Sequence, residues 1–217
     1  MMDKQKLVEL LEQVKTNSEK RKFTQSVEFE LKLKNVDASK PENSFTETHA
    51  LPKGLSTKRR SVCVFADGAS LPRARESGAD AVMTRSDIEA LAGDKKAVKK
   101  LAKKYDFFVA DASLMPLIGR VMGQVLGPRG KMPTPFPVNA DPKPIVERLR
   151  NSVLVKLKGQ PVIRCMVGSE DMNTDDLAEN ILDLVNYTAQ KVKGGRAALD
   201  HALVKLTMSK PVKIEFR

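Results

Sequence analysis

The residues best placed to act on a partner lie near the two ends of the chain. Arg21 and Lys22 precede Phe23-Thr24-Gln25-Ser26-Val27-Glu28, so two cations stand beside a row of hydroxyls and a carboxylate. Basic groups fix register on phosphates, while neutral polar groups and acids select 2′-hydroxyls or base edges. That is recognition chemistry, in which no bond is made or broken. A second basic stretch, Gly127-Pro128-Arg129-Gly130-Lys131-Met132-Pro133, offers Arg129 and Lys131 in a Gly/Pro loop. The phosphate loop of nucleotide triphosphatases needs a glycine separated by four residues from its Gly-Lys pair, and Ser or Thr after it. Val125 and Met132 occupy those positions. The loop therefore reads as a contact to nucleic-acid phosphate or as an ordinary surface loop, and a nucleotide triphosphatase is not expected.

Groups for covalent or metal chemistry are sparse. His49 and His201 stand far apart, with no Ser/Asp constellation of recognisable form around either. Cys63 and Cys165 each sit in a short apolar run and read as small buried thiols of a reducing, cytoplasmic compartment. Neither CxxC nor HxxxH spacing occurs, so a zinc site is not expected. Glu170 to Asp176 lacks the glycine of a calcium loop and reads as helix capping. No G-x-G-x-x-G follows the strand that ends at Asp67-Gly68. The expectation is a protein without catalytic residues, metal or cofactor.

The charge names the class of partner. Lys plus Arg number 38 against 27 Asp plus Glu, a net charge of +11 spread along 217 residues, which favours a polyanion. An anionic membrane is the weaker candidate, because no helix pairs a basic face with a broad Trp/Phe/Leu face, and no apolar run is long enough to span a bilayer. Eight Phe, two Tyr and no Trp are too few for stacking platforms of the single-strand kind. Folded RNA or duplex, read by shape and backbone, fits better. The lysine run at 95–104 is read chiefly as a solvated helix face.

The elements that must position these groups fall into three blocks. An amphipathic helix is expected over 4–16, a half-buried strand over 23–34 with Phe23, Val27, Phe29, Leu31 and Leu33 on one face, and a second strand over 45–51. After a polar linker at 52–60, strands at 61–66, 80–84 and 107–111 alternate with helices, the sign of a small parallel, doubly wound sheet. Residues 127–144 read as loop. Beyond 151 the pattern reverts: a β-hairpin over 153–167, a helix capped by Asn173 or Thr174 and ending near Gly194-Gly195, and strands over 202–208 and 212–216. The architecture expected is two domains of α/β and α+β class. A discontinuous α+β domain with an antiparallel sheet comes from both termini (1–61 and 152–217), and an α/β domain is inserted between (62–151). Two crossing linkers would form a hinge.

Lys22-Phe23-Thr24-Gln25-Ser26-Val27-Glu28, Leu117-Ile118-Gly119-Arg120, the 125–133 loop and Leu206-Thr207-Met208 together resemble the archaeal form of the large-subunit ribosomal protein L-one family, in the right order along nearly the whole chain. The resemblance implies a Rossmann-like inserted domain. It also implies binding to the large-subunit rRNA that forms the mobile stalk beside the tRNA exit site, assistance in releasing deacylated exit-site tRNA, and repression of translation through the protein's own mRNA. Partners would be rRNA, tRNA, that mRNA and the ribosome, with no membrane, and the free protein would be a monomer. RNA contacts would map to Lys22, Phe23, Ser26 and Glu28 and to the turn at Thr207-Met208. Two residues depart from the family pattern. Ser209 stands where the family has glycine, so a Cβ occupies a position suited to φ > 0 or close RNA approach, and His201 stands where the family has serine.

The strand segments Lys22–Glu28 and His201–Ser209 are thus expected to be neighbours and to form the principal RNA surface. Thr24, Ser26, Glu28 and Thr207 would supply hydrogen bonds, Phe23 and Met208 apolar contact, and Arg21 and Lys22 phosphate contact. Arg129 and Lys131 would add a weaker electrostatic contact from the insert. For Phe23, core packing is an equal alternative. Two other functions stay open: an enzyme using a nucleotide or sugar phosphate in the inserted domain, and an architectural protein for duplex DNA.

Overall fold

The computed structural model describes residues 4–138 and 140–216. Its elements in chain order are α1 (Lys4–Thr16), β1 (Ser26–Leu33), β2 (Phe45–Ala50), β3 (Val62–Phe65), α2 (Leu71–Glu76), β4 (Ala81–Met83), α3 (Arg85–Ala90) and α4 (Lys95–Lys104). Then follow β5 (Phe107–Asp111), α5 (Met115–Leu126), β6 (Thr134–Phe136), α6 (Lys143–Arg150), β7 (Ser152–Leu157), β8 (Val162–Ser169), α7 (Thr174–Lys191), β9 (Leu199–Leu206) and β10 (Val212–Glu215). The chain divides into two compact units: one runs up to Arg59 and resumes at Asn151, the other spans Arg60–Arg150.

In the first unit a four-stranded antiparallel sheet has the order β10-β9-β1-β8, which places a strand from the beginning of the chain directly beside one from its end. Alternation explains β1: Val27, Phe29, Leu31 and Leu33 are buried, while Ser26, Glu28, Glu30 and Lys32 face the other way. The inward set joins Ala202, Val204 and Leu206 of β9, Leu7, Leu11 and Val14 of α1, and Leu177, Ile181 and Leu184 of α7 in one core. The opposite face of the sheet carries polar side chains, as expected for an antiparallel sheet with one covered side.

The end of β8 is shaped by a bulge: Val27 pairs with Gly168 but Glu28 with Met166, leaving Val167 extra. The buried Asn180 of α7 accounts for the freed backbone. Its Nδ2 donates to the Val167 and Gly54 carbonyls, both at 2.9 Å, and its Oδ1 accepts from Lys53 N–H at 3.0 Å. Gly168 allows α7 to close down on the bulge, because a Cβ there would lie 2.5 Å from Leu177 and 2.6 Å from Met172.

The hairpin expected over 153–167 is corrected. β7 pairs with β2 through six residues in a separate ribbon, and β8 pairs with β1. Gly159 at φ +76° reverses the chain between them, with a single bridge from Lys158 to Gln160. The last long helix ends at Lys191 rather than near Gly194. Asn173 occupies its cap position with no side-chain cap bond, and Asp175 and Asp176 suit the positive helix end.

The second unit is a parallel sheet of order β4-β3-β5-β6. One core packs Cys63, Phe65, Phe108 and Ala110 against Ile88, Val98, Ile118 and Met122. The other packs Val62, Val64 and Val109 against Ala74, Val146 and Leu149. Helices on both faces make it doubly wound. Cys63 is fully buried, which pushes its thiol up to about 12. The loop expected over 127–144 holds strand β6 and the start of α6. Pro135 is tolerated because β6 is an edge strand, and Pro144 because it sits in a first helical turn, where its missing N–H has no intrahelical partner to lose.

Candidate nucleic-acid interface

Where β1 begins and β9 ends, the two strands meet as register pairs Val27–Leu206 and Glu28–Lys205. One residue further, the Ser26 amide donates to Thr207 Oγ1 at 3.1 Å, and the Thr207 amide donates to the Ser26 carbonyl at 3.1 Å. Thr207 Oγ1 also lies 3.4 Å from that carbonyl as donor. Two residues 181 positions apart in sequence are therefore joined, the Thr207 hydroxyl and amide to the Ser26 backbone. Phe23 is 49% and Met208 59% exposed, which decides against core packing and leaves two apolar groups standing in solvent beside the hydroxyls. Such exposed large apolar residues at the edge of a polar patch suit contact with ribose or a base face.

Acids on the open face are already neutralised in place. Glu28 pairs with Lys205 at 3.1 Å, and Glu30 with Arg164 at 2.8 Å. Lys205, which the sequence reading passed over, also approaches the Thr207 carbonyl at 3.4 Å. Its signal was available: counting by twos along β9 puts it on the face of Thr207. Arg21 is held by Glu19 at 2.9 Å in an exposed pair that a phosphate can displace, since such pairs are worth little in water. Lys22 is exposed and, among the described residues, forms no ion pair. Thr24 is half-buried. Beside these residues a recess of about 340 Å³ is lined by Lys15, Ser18, Glu19, Lys20, Arg21 and Glu170, with Leu206 at its edge.

Ser209 carries no backbone strain, because it is absent from the residues with positive φ. It closes a tight turn instead: its amide donates to the Leu206 carbonyl at 3.0 Å, and its Oγ accepts from the Leu206 amide at 2.8 Å. His201 does not join the patch. It pairs with Lys32 and Glu215, has Nδ1 3.1 Å from Asp200, and lies six residues before Thr207, about 20 Å along an extended strand.

In the inserted unit Arg129 is exposed, but Lys131 corrects the expectation of a phosphate contact. Its ammonium donates to the Ala102 carbonyl at 2.9 Å and the Tyr105 carbonyl at 2.8 Å, closing the C-terminal end of α4, and burial pushes its pKa down. The four last carbonyls of a helix lack intrahelical donors, and a lysine is well suited to that negative end. Lys131→Met should accordingly cost about 1–2 kcal/mol in denaturant unfolding and leave the salt dependence of RNA binding unchanged.

The reading as an enzyme that uses a phosphate-bearing substrate finds little support where doubly wound sheets bind ligands, at the carboxyl ends of their strands. Asp67 and Asp111 stand there. Asp67 caps Gly68, and Asp111 accepts from Ser70 Oγ at 2.8 Å and from the Ser113 amide at 3.0 Å. Two carboxylates committed to loop structure repel a phosphate.

Comparison with known proteins agrees with this arrangement. The model of the Ribosomal protein L1p/L10e family matches residues 14–210. Proteins named large ribosomal subunit protein uL1 align over nearly the whole chain. That of Archaeoglobus fulgidus is 43% identical over 214 residues, 99% of both chains. That of Methanothermobacter thermautotrophicus is 44% identical over 210 residues, covering 97% of this chain and 99% of its own. That of Pyrobaculum calidifontis is 42% identical over 215 residues, 99% and 96% respectively. A match of this extent, spanning both units and the Ser26–Thr207 junction, makes the chain a member of the Ribosomal protein L1p/L10e family.

Proposed function

We propose that the protein is a structural component of the large ribosomal subunit. In this reading it binds large-subunit rRNA at the mobile stalk, assists release of deacylated tRNA from the exit site, and represses translation of its own mRNA through a similar RNA structure. Its place is the cytoplasmic ribosome and its role is not enzymatic. The observation that carries the reading is the joined Ser26–Thr207 patch, flanked by exposed Phe23, Met208 and Lys22. The fixed Thr207 hydroxyl, with Ser26 beside it and cations nearby, matches the chemistry of an RNA backbone with 2′-hydroxyls. The net charge of +11 supplies the long-range attraction. Family membership supports the ribosomal setting.

The test is titration of the protein with a stalk rRNA fragment and with duplex DNA of equal length at several salt concentrations. The rRNA should win at every salt concentration. Lys22→Ala should lower the magnitude of the log–log salt slope by about one, the share of a single phosphate contact. Equal affinity for DNA would instead favour the architectural reading, and an unchanged slope would remove Lys22 from the interface. Competition by the 5′ region of the protein's own mRNA, and by deacylated tRNA in the presence of ribosomes, tests the finer parts separately.

A further inference from the structure

We infer that Gln25 is the positioning residue of this interface, the group that holds the basic Ser18–Lys22 segment and the Thr207–Ser209 turn in one geometry. The inference rests on the proposed RNA-binding reading and adds a residue to which that reading gave no role. The sequence signal is parity. Gln25 falls on the inward side with Val27, Phe29, Leu31 and Leu33, yet it is polar and only 1% exposed. A polar side chain at a core-facing position has to be satisfied by hydrogen bonds.

Three separate segments satisfy it. Gln25 Oε1 accepts the Met208 amide at 3.1 Å, which fixes the turn carrying Thr207 and Met208. Its Nε2 lies within donating distance of Ser18 Oγ and the Glu19 carbonyl, both at 3.3 Å, and of Glu170 Oε2 at 3.2 Å. Its backbone completes the clamp. The Gln25 amide donates to Glu170 Oε1 at 3.0 Å, and its carbonyl accepts the Glu170 amide at 3.0 Å.

Glutamine suits this position on chemical grounds. One end must accept from a backbone amide while the other donates to a carbonyl and a carboxylate. A glutamate cannot donate when ionised, a lysine cannot accept, and an asparagine is one methylene short. Gln25 is itself buried, out of direct reach of RNA. Its effect is transmitted through Met208 on one side, and through Ser18 and Glu19, which lead to Arg21 and Lys22, on the other.

The experiment uses the full chain and two substitutions. In the free protein, Gln25→Leu should speed hydrogen exchange of the Met208 amide at least about tenfold relative to amides of the β1–β9 ladder, since that amide loses its acceptor. With a stalk rRNA fragment as probe, the same variant should bind about tenfold or more weakly, and with a shallower salt slope because the Ser18–Lys22 cations lose their anchor. Gln25→Glu sets two carboxylates against each other. Its affinity relative to the parent should therefore be lowest at high pH and recover as pH falls and the pair shares a proton. Adding Glu170→Gln to Gln25→Glu should remove that pH dependence. An unchanged Met208 exchange rate in Gln25→Leu, or a pH-independent ratio for Gln25→Glu, would overturn the inference. If the parent protein fails to bind the rRNA fragment while Met208 exchange responds as stated, the RNA-binding reading fails and the clamp stands.

Discussion

Thr207→Val is expected to weaken binding to the stalk rRNA by about ten- to a hundredfold, with the salt slope left where it is. Valine keeps the shape and β-branching of threonine, so the backbone bond from the Thr207 amide to the Ser26 carbonyl can persist. What disappears is the hydroxyl of a half-buried residue, which accepts the Ser26 amide at 3.1 Å and, in the proposed interface, would also meet a 2′-hydroxyl or phosphate oxygen. The half-buried Ser26 amide then loses its side-chain acceptor. The loss falls on a fixed, short-range contact and involves no counterion, so it should appear equally at low and high salt. Lys22→Ala is the complement, with a modest loss that shrinks as salt rises. A Thr207→Val variant whose deficit vanishes at high salt would place Thr207 outside direct contact. Circular dichroism should stay that of the parent, and the unfolding free energy should fall by about 1 kcal/mol, the cost of the lost bond from the Ser26 amide.

How much of this could be read from the residues follows from the range of each interaction. The alternation in β1 is a local, period-two signal, and it correctly separates Val27, Phe29 and Leu31 from Ser26, Glu28 and Glu30. The adjacency of β1 and β9, which no local pattern encodes, follows from the resemblance to the L-one family, which maps RNA contacts to both chain ends. Gly159 announces a reversal but carries no information about partners, so β7 and β8 read as a hairpin although each is paired elsewhere. Lys131 looks like a phosphate ligand in a Gly/Pro loop. Its actual role depends on where α4 ends, a distance of 26 to 29 residues in sequence and under 3 Å in space. His201 lies near the start of β9 and Thr207 just past its end, so matching parity does not make them neighbours when most of a strand separates them.

Residues 1–59 joined to 151–217 by a short glycine linker should fold and bind the stalk rRNA within about threefold of the full chain, a difference below about 0.7 kcal/mol. The core of this unit is assembled wholly from its own two segments, with Phe29, Leu55, Val153, Ile181 and Val204 in one cluster. Closure is geometrically easy: Ala50 pairs with Ser152, and the Leu51 amide donates to the Asn151 carbonyl at 3.0 Å, so the two segments already run side by side where the insert leaves. Every residue of the Ser26–Thr207 patch and of the Gln25 clamp is retained. The excised Arg60–Arg150 unit should fold as well, around the two cores that flank its parallel sheet. Its RNA contacts would come from exposed Arg129 and the six exposed lysines of α4, which attract phosphate without selecting a structure. It should bind more than about a hundredfold more weakly at moderate salt and lose that binding steeply as salt rises. Comparable affinity of the two pieces, or a joined fragment that folds but no longer prefers the stalk RNA, would move the recognition surface onto the insert and leave the hydroxyl patch a structural feature of the sheet.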